Sequence, residues 1–136
     1  MEPSTTPFAL VVEDEPLILM ETCAILEDAG FRVYDADDGD RAKELLDRHS
    51  DSVILLFSDV DMPGSTLDGF ALARHVAATH PHIEIVIASG RVKPSDGDMP
   101  DKATFINKPF NQQMVIGHLA KTLPDHKKPE PLKTAI

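Results

Sequence analysis

The run Val53-Ile54-Leu55-Leu56-Phe57 contains no polar residue. A strand of that composition has no face to offer water, so it must be covered on both sides. Phe8-Ala9-Leu10-Val11-Val12 is a second such run. Strands buried on both faces belong to parallel sheets, whose crossover helices lie above and below. That requirement constrains the fold more tightly than any other feature of the chain.

The segments between the apolar runs fit it. From Pro16 to about Ala29, Ile18, Thr22, Ile25 and Ala29 recur at helical spacing, with Leu19, Cys23 and Leu26 beside them. Pro16 suits a first helical turn and Gly30 a C-terminal cap. Phe31–Tyr34 reads as a second strand and Asp40–Arg48 as a helix with Ala42, Leu45 and Leu46 inward. After the third strand at 53–57, about Asp68–Thr79 reads as a helix that His80-Pro81-His82 ends. Ile83–Ala88 and Ala103–Ile106 read as strands four and five. Asn111 caps a last helix with Val115, His118, Leu119 and Thr122 inward. Between strands four and five, residues 90–100 hold two prolines and two glycines. A short or irregular helix is expected there. The expected architecture is therefore α/β, doubly wound, with a weak fourth helix. Residues 1–7 read as an N-terminal extension and 8–123 as one domain. Residues 124–136, with their prolines and lysines, read as a flexible tail.

The chain has 136 residues, 42% of them hydrophobic, which suits one domain and hardly two. No apolar run is long enough for a bilayer, and no cationic flank precedes Phe8, so neither membrane insertion nor a secretory signal is expected. The lone Cys23 excludes an internal disulfide and fits a cytoplasmic protein. The net charge is −10, which argues against nucleic acid as a partner. The acid is concentrated: residues 1–61 hold 16 acids and 4 bases. Acid so concentrated can be a solvated surface or a site for a cation.

The positions of the acids decide. In an open α/β sheet, sites form beyond the carboxyl ends of the strands. Glu13 and Asp14 follow strand one, Asp59 strand three, Ser89 strand four and Lys108-Pro109 strand five. Crowded carboxylates repel unless a cation joins them, and hard oxygen ligands suit Mg²⁺ or Mn²⁺. A carboxylate can attack a phosphoryl group, and a lysine and a hydroxyl can stabilise the transferred oxygens.

Val-Val-Glu-Asp-Glu-Pro (11–16), Asp59-x-x-Met62-Pro63-Gly64, Asp68-Gly69, Ser89-Gly90 and Lys108-Pro109-Phe110 together resemble the receiver domain of bacterial two-component response regulators, of the stand-alone CheY-like type. The resemblance covers roughly residues 8–122. It implies a flavodoxin-like (βα)5 fold with strand order 2-1-3-4-5. It implies that Asp59 is the phosphoacceptor, served by Lys108 and Ser89. Asp14, Glu13, Asp59 and the backbone carbonyl of Asp61 would hold Mg²⁺, and the bond to Pro109 would be cis. Ser89 and Phe105 would form the switch that phosphorylation drives between two packings. A sensor histidine kinase or histidine phosphotransfer protein would supply the phosphoryl group, and a downstream protein would read it. A homodimer is the family's further partner state. Such a chain is no conventional enzyme, although it catalyses its own phosphorylation and dephosphorylation.

Two departures from that pattern stand out. Gly64-Ser65-Thr66-Leu67-Asp68-Gly69 is two residues longer than the usual loop, and should alter the cover over the site. The 90–101 stretch replaces the family's fourth helix, part of its signalling face. Asp61 and Arg91, two residues beyond Asp59 and Ser89, are expected to flank the path of the hydrolytic water. An ion pair between them would slow dephosphorylation.

Other readings exist for the same residues. Singly, Glu13-Asp14-Glu15 is a solvated loop, Lys108 a surface lysine, and His80-Pro81-His82 a turn. Asp59-Val60-Asp61 also resembles the DxD motif of haloacid-dehalogenase-type phosphatases. A receiver that binds partners without phosphorylation is the remaining alternative.

Overall fold

The computed structural model describes residues 7–91 and 93–133. Residues 1–6 of the expected N-terminal extension, Val92 and the last three residues of the expected tail lie outside them. The elements run β1 (Phe8–Val12), α1 (Pro16–Asp28), β2 (Arg32–Ala36), α2 (Gly39–His49), β3 (Val53–Asp59), α3 (Gly69–Thr79), β4 (Glu84–Ser89), β5 (Thr104–Asn107) and α4 (Gln112–Thr122). A 3-10 turn (Asp125–Lys127) and a short helix, α5 (Glu130–Lys133), follow.

The strands form one parallel sheet in the order β2-β1-β3-β4-β5, the order the resemblance implies. Alternation along each strand splits the core into two layers. Leu10, Val12, Leu56, Ile85 and Ile87 pack against Leu46 of α2 and Leu72 and Val76 of α3. Ala9, Val11, Leu55, Phe57 and Val86 face the other way, onto Leu26 of α1 and Val115 and Leu119 of α4. Helix starts follow their capping residues. Asp38, Asp68 and Asn111 each accept a hydrogen bond at 2.8 Å from the backbone N–H three residues on. Pro16 occupies the first turn of α1, where its missing N–H costs nothing.

No helix forms between β4 and β5 among the described residues. The expected short helix is instead a chain of turns. Pro94 and Pro100 lack the N–H a helix needs, and each disfavours helical backbone in the residue before it. Gly97 takes a φ of 87°. The segment is nonetheless tied down. Ser95 N–H donates to Asp98 Oδ2 at 2.7 Å, Arg74 Nη1 donates to the Asp98 carbonyl at 2.6 Å, and Met99 packs on the α2–α3 side of the core.

Residues 124–133 also depart from the expected loose tail. Leu132 is 1% exposed and lies in the core layer of α1 and α4. Lys127 Nζ donates to the His82 carbonyl at 2.7 Å and to Glu84 Oε2 at 3.0 Å. Gly30, with a φ of 105°, passes so close that a Cβ there would lie 2.7 Å from Pro129 Cβ and 2.8 Å from Pro131 Cδ. One leucine with a buried slot, and a glycine for two prolines to lie against, suffice to dock a segment whose composition suggests disorder. No helix among the described residues is long and apolar enough to cross a membrane.

Candidate functional site

The sheet register brings the reactive residues to one edge. Val12 pairs with Ser58 and with Ala36, so Glu13 leaves β1 beside Asp59. Asp59 is level with Ala88 on β4, and Ser89 pairs with Asn107 on β5, one residue before Lys108. The backbone holds this edge. Glu13 N–H donates to the Ala36 carbonyl at 3.1 Å, and Lys108 N–H to the Ser89 carbonyl at 3.1 Å. The Lys108–Pro109 peptide is cis. Phe110 beyond it packs edge-on against Phe57 of β3, with ring centroids 5.6 Å apart.

Glu13, Asp59 and Ser89 are buried, whereas Asp14 is exposed. Carboxylate oxygens of Glu13, Asp14 and Asp59 lie within 4.8 Å of one another. Lys108 Nζ donates to Asp59 Oδ1 at 2.9 Å and also to Glu13 Oε1. Glu13 Oε2 accepts from the Glu15 N–H at 3.1 Å.

Electrostatics follow from this crowding. Burial raises the pKa of Glu13 and of Asp59 above the ordinary carboxylate range, and the Lys108 hydrogen bond only partly offsets it. A neighbouring carboxylate adds to the rise: Asp59 acts on Glu13, and Asp14 on Asp59. Burial pulls the Lys108 ammonium down, but its bonds to Glu13 and Asp59 and their charges outweigh that and raise its pKa. Lys108 is therefore a fixed cation, held against two acids that repel each other. A divalent cation among three carboxylates would relieve that repulsion, and all the donors are hard oxygens. The residues present thus fit the Mg²⁺ or Mn²⁺ that the resemblance implies.

A cavity of about 490 Å³ opens over these groups, lined also by Asp61, Pro63, Gly90 and Arg91. Asp61 and Arg91 both stand at its exposed mouth. The expected ion pair between them is absent among the described residues; two exposed side chains in water gain little from such a contact. Phe105 is half-buried on β5 beneath Lys93, whose ammonium lies 5.5 Å from the ring centroid. Lys93 also donates to Asn107 Oδ1.

The long loop after β3 behaves differently from the expectation. Its extra residues turn away from the site and clasp the start of α2. Ser65 Oγ accepts from the Gly39 N–H at 3.1 Å and donates to the Leu67 carbonyl at 2.8 Å. Asp40 accepts from the Thr66 N–H at 3.0 Å and from its hydroxyl at 2.5 Å. Only Asp61 and Pro63 of this loop line the cavity. Sequence reasoning missed this clasp, although a serine and a threonine in an insertion are its signal. It also left unexplained the glycine of Asp68-Gly69. A Cβ on Gly69 would fall 2.0 Å from the carbonyl oxygen of Asp59, so only glycine lets α3 start against that backbone.

Comparison with known proteins agrees with this geometry. The family model for the response regulator receiver domain matches residues 9–120. The response regulator receiver protein CpdR of Brucella abortus is 31% identical over 117 residues, covering 84% of this chain and 94% of that protein. The sensor kinase CckA of Brucella abortus is 34% identical over 113 residues, and the nitrogen assimilation regulatory protein NtrX of Azorhizobium caulinodans 34% over 111. The matched regions are only 11% and 24% of the lengths of those two proteins. Among solved structures, the receiver domain of NtrX from Brucella abortus superposes with a TM-score of 0.71 at 30% identity, covering 93% of this chain and 98% of that one. The chemotaxis response regulator CheY4 of Vibrio cholerae gives a TM-score of 0.75 at 24% identity, covering 87% and 99%, and supports the fold alone.

Proposed function

The chain belongs to the response regulator receiver domain family, and on that premise we propose that it accepts a phosphoryl group on Asp59 from a phosphohistidine. The observation that carries the proposal is the contact of Lys108 Nζ with Asp59 Oδ1 at 2.9 Å, inside a carboxylate cluster shaped for a hard cation.

In this reading an Asp59 oxygen attacks phosphorus, the P–N bond breaks, and the departing imidazole takes the electron pair of that bond and a proton from solvent. Asp59 is poor at this while hydrogen-bonded to Lys108, so Lys108 must turn from the carboxylate to the incoming phosphoryl oxygens. Glu13, Asp14, Asp59 and the Asp61 carbonyl would hold Mg²⁺ or Mn²⁺. When bound, that cation neutralises the phosphoryl charge. Ser89 then hydrogen-bonds a phosphoryl oxygen, and Phe105 moves into the space it vacates. Lys93 ties Phe105 and Asn107 to the helix-free 93–100 segment, so that segment moves with the switch. Asp61 and Arg91 set the rate of phosphate loss by covering the mouth rather than by pairing.

The donor is a sensor histidine kinase or a histidine phosphotransfer protein, in the cytoplasm, and the reader is a protein. A phosphorylated homodimer is one form that reader can take. The test is intact-mass measurement of the purified chain with a small acyl phosphate and Mg²⁺. An adduct of one phosphoryl group is expected, absent from Asp59→Asn and from a magnesium-free sample. An adduct that survives in Asp59→Asn would overturn the assignment. No adduct with either the small donor or a phosphohistidine protein would favour a receiver that binds partners without phosphorylation.

A further inference from the structure

Three histidines cluster at the opposite end of the sheet from Asp59. His75 lies on the last turns of α3, His80 follows that helix, and His82 precedes β4. His80 stands between the other two. Its ring centroid is 6.4 Å from that of His75 and 6.3 Å from that of His82, with planes crossed at 82° and 80°.

Two observations distinguish this cluster from a surface turn. First, His82 Nε2 lies 2.7 Å from the Ser50 carbonyl oxygen. A carbonyl only accepts, so Nε2 is the donor there and Nδ1 is the nitrogen left for a ligand. An imidazole anchored by one N–H on a backbone carbonyl is the arrangement that orients a metal-ligating histidine. Second, His80 Nε2 is buried and has no hydrogen-bond partner among the described residues. A buried ring nitrogen left unsatisfied costs free energy, and a bound ion would recover it. Burial, then the neighbouring His82 and His75, hold the His80 pKa below its ordinary value. Asp47 and Asp51 act on it in the opposite sense and would favour a cation. Lys102 and Lys127 reach the Pro81 and His82 carbonyls, but both ammonium groups are paired with Glu84, at 3.4 and 3.0 Å.

We propose that His75, His80 and His82 form a site for a divalent transition ion, Zn²⁺ foremost, separate from the oxygen-ligand site at Asp59. Imidazole nitrogen suits Zn²⁺, Ni²⁺ or Cu²⁺, whereas Mg²⁺ takes oxygen. Rings on one tetrahedral ion have centroids roughly 5 Å apart, given metal–nitrogen distances of about 2 Å. As they stand, the three rings do not bring one nitrogen each within 4.8 Å of the others; turning His75 and His80 about their side-chain bonds, with His82 kept on the Ser50 carbonyl, would close that gap. The length of β4 puts this site roughly 17 Å from Ser89, so the two cations would bind independently.

The experiment uses the untagged full chain in excess Mg²⁺, which occupies the carboxylate site. Zn²⁺ binding is measured by calorimetry, and Co²⁺ is added separately as a spectroscopic probe. One Zn²⁺ per chain is expected, with the visible absorption of tetrahedral Co²⁺. His80→Gln and His82→Gln should each weaken Zn²⁺ by at least about tenfold. Zn²⁺ at a hundred times its Kd should raise Tm by about 5–10 °C in the parent and not in His80→Gln. Retained phosphorylation of Asp59 in His80→Gln shows that this variant is folded. Zn²⁺ that excess Mg²⁺ displaces, or that binds equally to both variants, would overturn the proposal. So would the absence of both calorimetric heat and a Co²⁺ spectrum.

Discussion

Leu132 offers a direct test of how the C-terminal segment is held. Its side chain is 1% exposed, in the layer formed by α1 and α4. Full burial of a leucine is worth about 1.5–3 kcal/mol, and truncation to alanine in a rigid core costs about 2–5 kcal/mol. Here the cost has a ceiling. The residues after Pro124 can leave the surface, and ordering each of them costs about 1–2 kcal/mol of entropy. The net free energy of docking is therefore a small difference, of order 1–3 kcal/mol. Leu132→Ala cannot lose more than that, because the segment would then detach. Urea unfolding of the full chain, of Leu132→Ala and of a chain ending at Pro124 measures both quantities. We expect Leu132→Ala to cost about 2 kcal/mol and the truncation at least as much. Gly30→Ala refines the test. In the full chain its methyl would meet Pro129 and Pro131, whereas in the truncated chain only the strain of a φ of 105° remains, about 1–2 kcal/mol. The two changes should therefore couple. A truncation that costs under about 0.5 kcal/mol, or a Leu132→Ala that costs more than the truncation, would refute the reasoning.

Three further outcomes follow from the same contacts. Gly69→Ala would put a methyl 2.0 Å from the Asp59 carbonyl oxygen. It should destabilise by about 3 kcal/mol or more in urea and slow phosphorylation at least tenfold in the intact-mass assay. Arg91→Ala opens the mouth of the cavity, so loss of phosphate from labelled protein should accelerate; an unchanged or slower rate argues against the covering role. Burial, then Lys121, holds the His118 pKa below its ordinary 6.5. The folded chain therefore binds its proton later than the unfolded chain. Its contribution is present above pH 6.5 and is lost as pH falls from there through the lowered folded value. His118→Gln should flatten the acid limb of the stability profile in that window, as urea midpoints across pH would show.

The sheet was legible because its strands are unusually unambiguous. Runs such as 8–12 and 53–57 have no polar face, which forces parallel pairing and two helical layers. The site was legible for a related reason: Glu13, Asp14, Asp59, Ser89 and Lys108 each stand where an apolar run stops. The misses lie where single contacts decide. Pro94 and Pro100 weaken a helix, but whether any turn of it survives depends on what Met99 and Arg74 can reach. Residues 124–133 look disordered by composition because disorder is judged by the average residue, whereas docking rests on Leu132 and Lys127. Asp61 and Arg91 both line the cavity, yet their offsets from Asp59 and Ser89 say nothing about whether two exposed side chains choose each other over water.

The clasp of Ser65 and Thr66 on α2 shows how this fold accepts change near its chemistry. Two extra residues in a loop beginning at Asp59 would ordinarily threaten the geometry of the carboxylate cluster. Here the backbone is pinned at both ends of the insertion. Asp59 is fixed by β3, and Gly69, bonded through its N–H to the Val60 carbonyl at 2.9 Å, starts α3 directly against it. The added length has nowhere to go except outward, and Ser65 and Asp40 supply hydrogen bonds that hold it there. The crossover after β4 obeys the same logic. Ser89 and Asn107 are paired across β4 and β5, so the loss of a helix between them leaves Lys108 in place. What such changes alter is the surface beside the site, formed here by Arg91, Lys93 and the 93–100 turns. The surface beside the site can therefore diverge while the acids and the lysine stay where the sheet puts them.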